Sequence, residues 1–203
     1  YISRSIGEEK LQRASETLTT GLIACMLMGL LVTIMSLFSL TPIVNCLGAD
    51  SDTFAPTHSY VSIILLGSAL LMVNYAMGQL LRAEGAMMPS MLGMFIGTVS
   101  NIILDPIFIF ALHMRIRGAA IATVLGNALG ICFYIFCYVS GKSALQIKGS
   151  LFSTNGTIWK EIFTIGTPSG LNQMLVSVAL ILCNNVAADY NANLVAGMGI
   201  SSK

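Results

Sequence analysis

The chain has 203 residues, of which 55% are hydrophobic and only 9% are charged, and its formal net charge is +1. A soluble globular domain usually carries about 25% charged residues, so this chain lacks the polar surface to face water on all sides. With a near-neutral charge and no basic stripe in the sequence, nucleic acid is excluded as an expected partner.

Five long apolar segments dominate the chain, at 21–48, 60–81, 91–112, 118–139 and 163–188, and Asp105 is the only formal charge inside them. A helix of about 20 residues crosses the hydrocarbon core, so each segment is long enough. None shows the alternation over about 10 residues that is typical of membrane strands. A sixth apolar run begins at 194–200. We therefore predict an all-α, polytopic membrane helix bundle with five complete transmembrane helices and the start of a sixth.

Lysine and arginine predict the orientation of the bundle. If the N-terminal segment is cytoplasmic, seven basic residues fall on that side and two on the other, which is the bias expected of a membrane protein. The two outer residues are Arg115 and Arg117, and the inner ones are Arg4, Lys10, Arg13, Arg82, Lys142, Lys148 and Lys160. The chain begins without methionine and ends inside an apolar run, so we expect it to be a piece of a longer protein.

The run NIILDPIFIF places Asp105 among eight apolar residues, four positions after Asn101. A carboxylate inside a membrane helix costs about 2.5–3.5 kcal/mol, so it persists where it faces protein, water or a cation. Spacing of i, i+4 puts Asn101 and Asp105 on one helix face, and Gly93 and Gly97 extend that row. Pro106 cannot donate to the carbonyl of residue 102, which predicts a kink and a free oxygen nearby.

These oxygens form the ligand set of a hard cation such as sodium, and they suit equally a carboxyl that binds and releases a proton. Two structural alternatives stand beside this reading. Asp105 could lie at the helix end near the outer interface, or it could be a hydrogen-bond acceptor between helices.

The next helix, beginning at RGAAIATVLGN, adds a second row of small residues. Gly118, Ala122, Gly126 and Gly130 are spaced by four, which favours close helix contact. Beside them lie Thr123 and Asn127. Only the joint HMRIRG separates the two helices, so we expect them to be antiparallel neighbours. At 1.5 Å rise per residue, Asn101, Asp105 and Thr123 reach similar depth and can converge.

At these residues the chain resembles the multidrug and toxic compound extrusion (MATE) transporters. The resemblance rests on LLRAEG, NIILDPIFIF and GAAIAT, in that order, with YISRSIGEEKLQRA before them and IGTPSGLNQ after them. It implies a twelve-helix fold of two six-helix bundles, of which this chain would hold helices three to seven. Residues 1–20 would be a cytoplasmic joint, 21–139 four helices of the first bundle, 140–161 the loop between bundles, and 162–203 the first helix of the second bundle and the start of the next.

The resemblance also implies a function, namely secondary antiport of organic cations against Na⁺ or H⁺ by alternating access. The cation or proton site would use Asn101, Asp105 and Thr123, with a further aspartate from a first helix that this chain does not contain. Some members use carboxylates of the second bundle instead. Asn127, Asn172, Gln173 and Ser177 are predicted to line the substrate cavity, although interhelical hydrogen bonding explains such residues equally well.

We expect no cofactor beyond the coupling ion, because no GxxxxGK[ST] nucleotide motif is present. The expected setting is a multi-pass protein of the plasma (inner) membrane, monomeric as a full-length transporter, with small organic cations and the lipid bilayer as partners. One alternative is a lipid-linked precursor flippase of the same superfamily. An intramembrane enzyme is disfavoured because no helix carries a nucleophile–base pair or a metal cluster.

Overall fold

The computed structural model describes residues 2–46, 51–141, 143, 145, 151 and 156–190. The predicted apolar run at 194–200 lies outside these residues, as do Lys142 and Lys148. The chain divides into two compact units, Tyr1–Ser153 and Thr154–Lys203. Every regular element of the described part is a helix, which confirms the predicted all-α membrane fold.

The first unit contains six α-helices. They are α1 (Ile2–Gly7), α2 (Leu11–Cys46), α3 (Ser51–Leu66), α4 (Ser68–Ala83), α5 (Met87–Pro106) and α6 (Ile116–Val139), with a π-helical turn at Ile107–Ala111 after α5. The second unit contains α7 (Gly156–Tyr190). Within the described residues, four helices are long and apolar enough to cross a membrane, and five spans result if the bent pair α3–α4 counts as one.

The segment 60–81, predicted as one span, is broken at Gly67, where α3 and α4 meet at an angle of 53°. Side chains of α2 satisfy the polar groups at this break. Thr33 Oγ1 lies 3.2 Å from the carbonyl oxygen of Leu65 and 2.8 Å from Ser68 Oγ. Side-chain partners of this kind help a membrane helix to tolerate a break.

The turn between α4 and α5 explains part of the LLRAEG motif. Gly85 has φ +85°, a conformation that favours glycine. Arg82 donates from Nε to Ser90 Oγ at 3.0 Å, and Ser90 Oγ donates to the carbonyl of Gly78 at 2.8 Å. Tyr134 of α6 donates to the Ser90 carbonyl at 3.1 Å. The arginine and the glycine therefore hold the turn on the bundle.

A small apolar core closes the same end of the unit. Leu145, which follows α6, is 1% exposed and packs with Ile2, Ala14 and Leu18. Beside it, Glu84 accepts hydrogen bonds from Tyr138 at 2.9 Å and from Ser143. Because α1, the end of α4 and the residues after α6 meet here, the basic residues at the start of the chain share one end of the unit with Arg82.

At the opposite end, Arg117 of α6 donates to Ser59 Oγ of α3 at 3.2 Å. The two outer arginines of the predicted topology therefore begin α6 at the end that also carries the first half of α3. Within the first unit, Arg4 and Arg82 thus lie at one end and Arg117 at the other; the orientation of these ends in the membrane stays a prediction.

Helix α7 begins at Gly156, six residues before the predicted boundary at 162, and continues through Pro168. Trp159 and Phe163 stack along its first turns with ring centroids 6.2 Å apart. This i, i+4 aromatic contact extends the helix into residues assigned to the loop.

Candidate functional site

Glycines bring α5 and α6 into backbone contact. A Cβ on Gly126 would lie 2.7 Å from the carbonyl oxygen of Gly97, and one on Gly118 would lie 2.8 Å from the backbone of Phe108. Gly93 accommodates the ring of Tyr134, since a Cβ there would overlap ring carbon Cε1. The two predicted rows of small residues thus face each other and allow the close approach that positions their polar neighbours.

The three residues predicted to form the ion site come together at this contact. The Asn101 side chain lies between α5 and α6, with one end of its amide 3.3 Å from Asp105 Oδ2 and the other 3.3 Å from Thr123 Oγ1. Both neighbours are satisfied when the amide nitrogen donates to the carboxylate and the amide oxygen faces the hydroxyl; this orientation is assigned from its partners. Thr123 Oγ1 also lies 2.9 Å from the Ala119 carbonyl oxygen.

Asp105 is half-buried, and its Oδ1 atom is fully buried with no hydrogen-bond partner among the described residues. A buried acceptor without a partner costs about 1–3 kcal/mol, more for a charged group. With the Asn101 amide nitrogen toward the carboxylate, the acceptor left without a donor is this carboxylate oxygen. A buried carboxylate oxygen without a donor fits a proton on the carboxyl or a hard cation beside it.

The residues after Pro106 form a π-helical turn over Ile107–Ala111, and the kink expected at the proline stays a prediction. The amide of Leu112 bonds the carbonyl of Ile107 at 3.0 Å across five residues. π-Helical turns are rare and recur at functional sites. The span continues through this turn to Ala111.

Asn127, predicted to line the substrate cavity, makes its described contacts within the bundle. It donates to the Thr123 carbonyl at 2.8 Å and accepts from Asn74 of α4 at 2.7 Å. Asn74 was missed by the sequence analysis, although a single amide in the apolar stretch LLMVNYAM was the available signal. The cavity role of Asn127 stays a prediction.

The three polar residues of α7 are exposed within their own unit. Ser177 Oγ donates to the Gln173 carbonyl at 2.9 Å, one turn earlier. Asn172 lies on the adjacent position, so the three form a polar patch on α7 whose role as cavity lining stays a prediction. Among the described residues no three His, Cys, Asp or Glu side chains come together as a metal-binding group.

Comparison with known proteins places these features in a family. The MatE family model matches residues 1–107. "Multidrug export protein MepA" of Staphylococcus aureus (strain NCTC 8325 / PS 47) is 30% identical over 201 residues, which cover 99% of this chain and 45% of that protein. The MepA of Staphylococcus saprophyticus is 29% identical over the same share of each chain. The chain thus spans less than half the length of these curated relatives.

Solved structures match in the same proportion. An inward-facing and an outward-facing multidrug resistance MATE family transporter of the MOP superfamily match with TM-scores of 0.85 and 0.84, each at 31% identity over 92% of this chain and 42% of that chain. A MOP superfamily transporter from Pyrococcus furiosus, described by a binding pocket of reverse polarity that suggests a different function, matches with a TM-score of 0.86 at 30% identity over 96% of this chain and 44% of that chain. By sequence and by fold, this chain belongs to the MatE (MATE) family of multi-pass membrane proteins.

Proposed function

We propose that the complete protein is a secondary antiporter that exports organic cations in exchange for Na⁺ or H⁺, and that this chain carries the ion site of the first bundle. The observation that carries the proposal is the meeting of Asn101, Asp105 and Thr123 between α5 and α6, with Asp105 Oδ1 buried and unpartnered. Export is supported by the relatives named as multidrug export proteins.

The geometry supports a simple role for each residue. Asp105 supplies the charge that balances a cation or takes up a proton, Asn101 holds one carboxylate oxygen, and Thr123 contributes a neutral oxygen from the facing helix. Glycine backbones bring the two helices into close contact. The chain matches inward- and outward-facing relatives about equally well. This supports a mechanism in which bundles move as bodies during alternating access.

The positions of lysine and arginine support an orientation of the first unit in the membrane. We place the end of the first unit that carries Arg4, Lys10 and Arg82 in the cytoplasm, since basic residues concentrate on that side of membrane proteins. The opposite end, with Arg117, then faces outward. We further propose a location in the plasma (inner) membrane and a monomeric full-length transporter.

A flippase for lipid-linked precursors is the second candidate. The Pyrococcus furiosus relative favours keeping it, because its description assigns a different function to the same fold. The two functions predict different cargo. Efflux of small dye cations that is stimulated by an ion gradient supports the exporter, whereas transbilayer movement of a lipid-linked sugar without dye efflux supports the flippase.

The test of the ion site uses the full-length transporter in energised cells or vesicles. Asp105→Asn should abolish ion-coupled efflux while expression and insertion persist, because the amide keeps the size of the side chain but cannot balance a cation or exchange a proton. Asn101→Ala and Thr123→Ala each remove a neutral contact, so they should raise the ion concentration for half-maximal transport. Normal efflux with normal ion dependence in Asp105→Asn would contradict the assigned role.

A further inference from the structure

The amide pair Asn74–Asn127 ties α4 to α6 close to the proposed ion site. Asn74 Nδ2 donates to Asn127 Oδ1 at 2.7 Å, one of the shortest side-chain contacts in the bundle. The missing side chain of Gly130 makes room for it, since a Cβ there would lie 2.8 Å from Asn74 Oδ1 and 3.3 Å from the Gly93 carbonyl oxygen. The pair therefore lies where α4, α5 and α6 meet.

A continuous series of polar contacts leads from this pair to the carboxylate. Asn127 Nδ2 donates to the carbonyl of Thr123 at 2.8 Å. The Thr123 hydroxyl is 3.3 Å from the Asn101 amide, whose other end is 3.3 Å from Asp105. Each step crosses from one helix to the next or from one turn to the next. Both ends of the series are buried acceptor atoms without a described partner, Asn74 Oδ1 and Asp105 Oδ1.

Around Asn127, α6 meets α5 through glycine backbones, with Gly126 against Gly97 and Gly130 near the Gly93 carbonyl. Glycine carries no side chain that could direct a neighbouring polar group. The hydrogen bond from Asn74 of α4 to Asn127 adds a directional constraint on the rotation of α6 at this depth. Thr123 is one turn away on the same face, so the constraint that orients Asn127 also orients the Thr123 hydroxyl.

We propose that Asn74 is a positioning residue of the ion site: through Asn127 it sets the rotation of α6 that presents Thr123 to Asn101 and Asp105. This inference rests on the proposed ion-coupled transport. Outer residues that orient the groups around a bound ion commonly change its affinity by about 10–100-fold when they are removed. Asn74→Leu, which keeps the branching at Cγ but cannot form a hydrogen bond, should therefore raise the half-maximal ion concentration by about tenfold. Efflux at saturating ion should be nearly normal.

The experiment measures efflux by the full-length transporter over a series of Na⁺ concentrations at fixed pH and over a pH series without Na⁺. It compares Asn74→Leu, Asn127→Leu and the double variant. Asn74→Ser is added because it stays polar yet is too short to reach Asn127, so it should show the same shift even where leucine impairs folding. Thr98→Val is the matched control, since Thr98 is exposed on α5 and, within the described part of the chain, its hydroxyl bonds back to the Met94 carbonyl at 3.0 Å.

If Asn74 acts only through its bond to Asn127, the double variant should have the same half-maximal ion concentration as either single variant. Asn74→Leu should then cause no further increase when it is combined with Thr123→Ala. A purely structural amide pair predicts a lower unfolding midpoint with an unchanged half-maximal ion concentration, and that result would overturn the inference. Additive shifts, or loss of the folded protein in both Asn74 variants, would overturn it as well. Asp105→Asn in the same assay separates the two proposals: if it abolishes ion dependence while the Asn74 variants are normal, only the positioning role fails.

Discussion

Gly126 of α6 lies directly against Gly97 of α5, so close that a Cβ on Gly126 would be 2.7 Å from the Gly97 carbonyl oxygen. Reciprocally, a Cβ on Gly97 would be 3.2 Å from the Gly126 carbonyl oxygen. Backbone lies on both sides of this contact, so no side chain can rotate away to make room. The contact sets the separation of α5 and α6, and with it the distance from Thr123 to Asn101.

Gly126→Ala should therefore destabilise the protein by about 1–3 kcal/mol, the usual cost of overpacking. The methyl group forces the two helices apart, so the proposed ion site should weaken as well. The unfolding midpoint of the full-length protein in detergent measures the first effect, and the half-maximal ion concentration measures the second.

Gly21→Ala is the matched control, because, apart from the adjoining residues of α2 itself, no atom of the described chain lies within 4 Å of a Cβ at that position. Alanine is favoured over glycine inside a helix by about 0.5–1 kcal/mol. The same substitution should thus leave the midpoint unchanged or raise it. Equal midpoints for the Gly126 and Gly21 variants would refute the close contact.

Glu84 provides a prediction about pH. Burial raises the pKa of its carboxyl above the ordinary value of 4.5, although the hydrogen bonds from Ser143 and Tyr138 act in the opposite direction. The folded state then binds the proton more tightly than the unfolded state does, so stability is greatest below the ordinary pKa and falls as pH rises through the raised value. Glu84→Gln removes this titration and should raise the unfolding midpoint at about pH 8, with a gain that shrinks toward about pH 4.5.

Glu8→Gln serves as the control of opposite sign. Lys10 and Arg4 hold the pKa of the exposed Glu8 carboxyl below its ordinary value, so its contribution to stability is present above that value and is lost in acid. Glutamine there should leave the midpoint unchanged or lower it slightly at about pH 8. If the unfolding midpoints of both variants change in the same direction with pH, the burial of Glu84 does not cause the pH dependence of Glu84→Gln.

The proposed orientation predicts which ends of the first unit are accessible from outside the cell. In a full-length transporter without native cysteines, Arg117→Cys should react with an impermeant maleimide in intact cells, and Glu8→Cys should react only after the membrane is opened. Removing Arg117 strengthens the inside-positive bias, and replacing Glu8 leaves the count of lysines and arginines unchanged, so neither change favours inversion. Labelling of Glu8→Cys in intact cells would reverse the assignment.

Composition and periodicity alone predicted that the chain is an all-α membrane protein, because long apolar segments have one stable form in lipid. They also predicted that Asn101, Asp105 and Thr123 converge, since an i, i+4 pair, a short joint and glycine rows leave two antiparallel helices few ways to pack. These inferences depend on the spacing of residues along the chain, which can be taken directly from the sequence.

Other features depend on partners that are distant in the chain. At the break at Gly67, Thr33 contacts the carbonyl of Leu65 although it lies more than thirty residues earlier in the chain. The sequence of 60–81 alone does not predict this contact. In the sequence Asn74 is an isolated amide, whereas in the fold its Nδ2 atom lies 2.7 Å from Asn127 Oδ1. Likewise, burial of Glu84 comes from residues after α6 that fold back over the turn. Sequence spacing decides which groups share a helix face, but only tertiary packing decides which groups of another helix meet them, because that depends on the rotation and separation of whole helices.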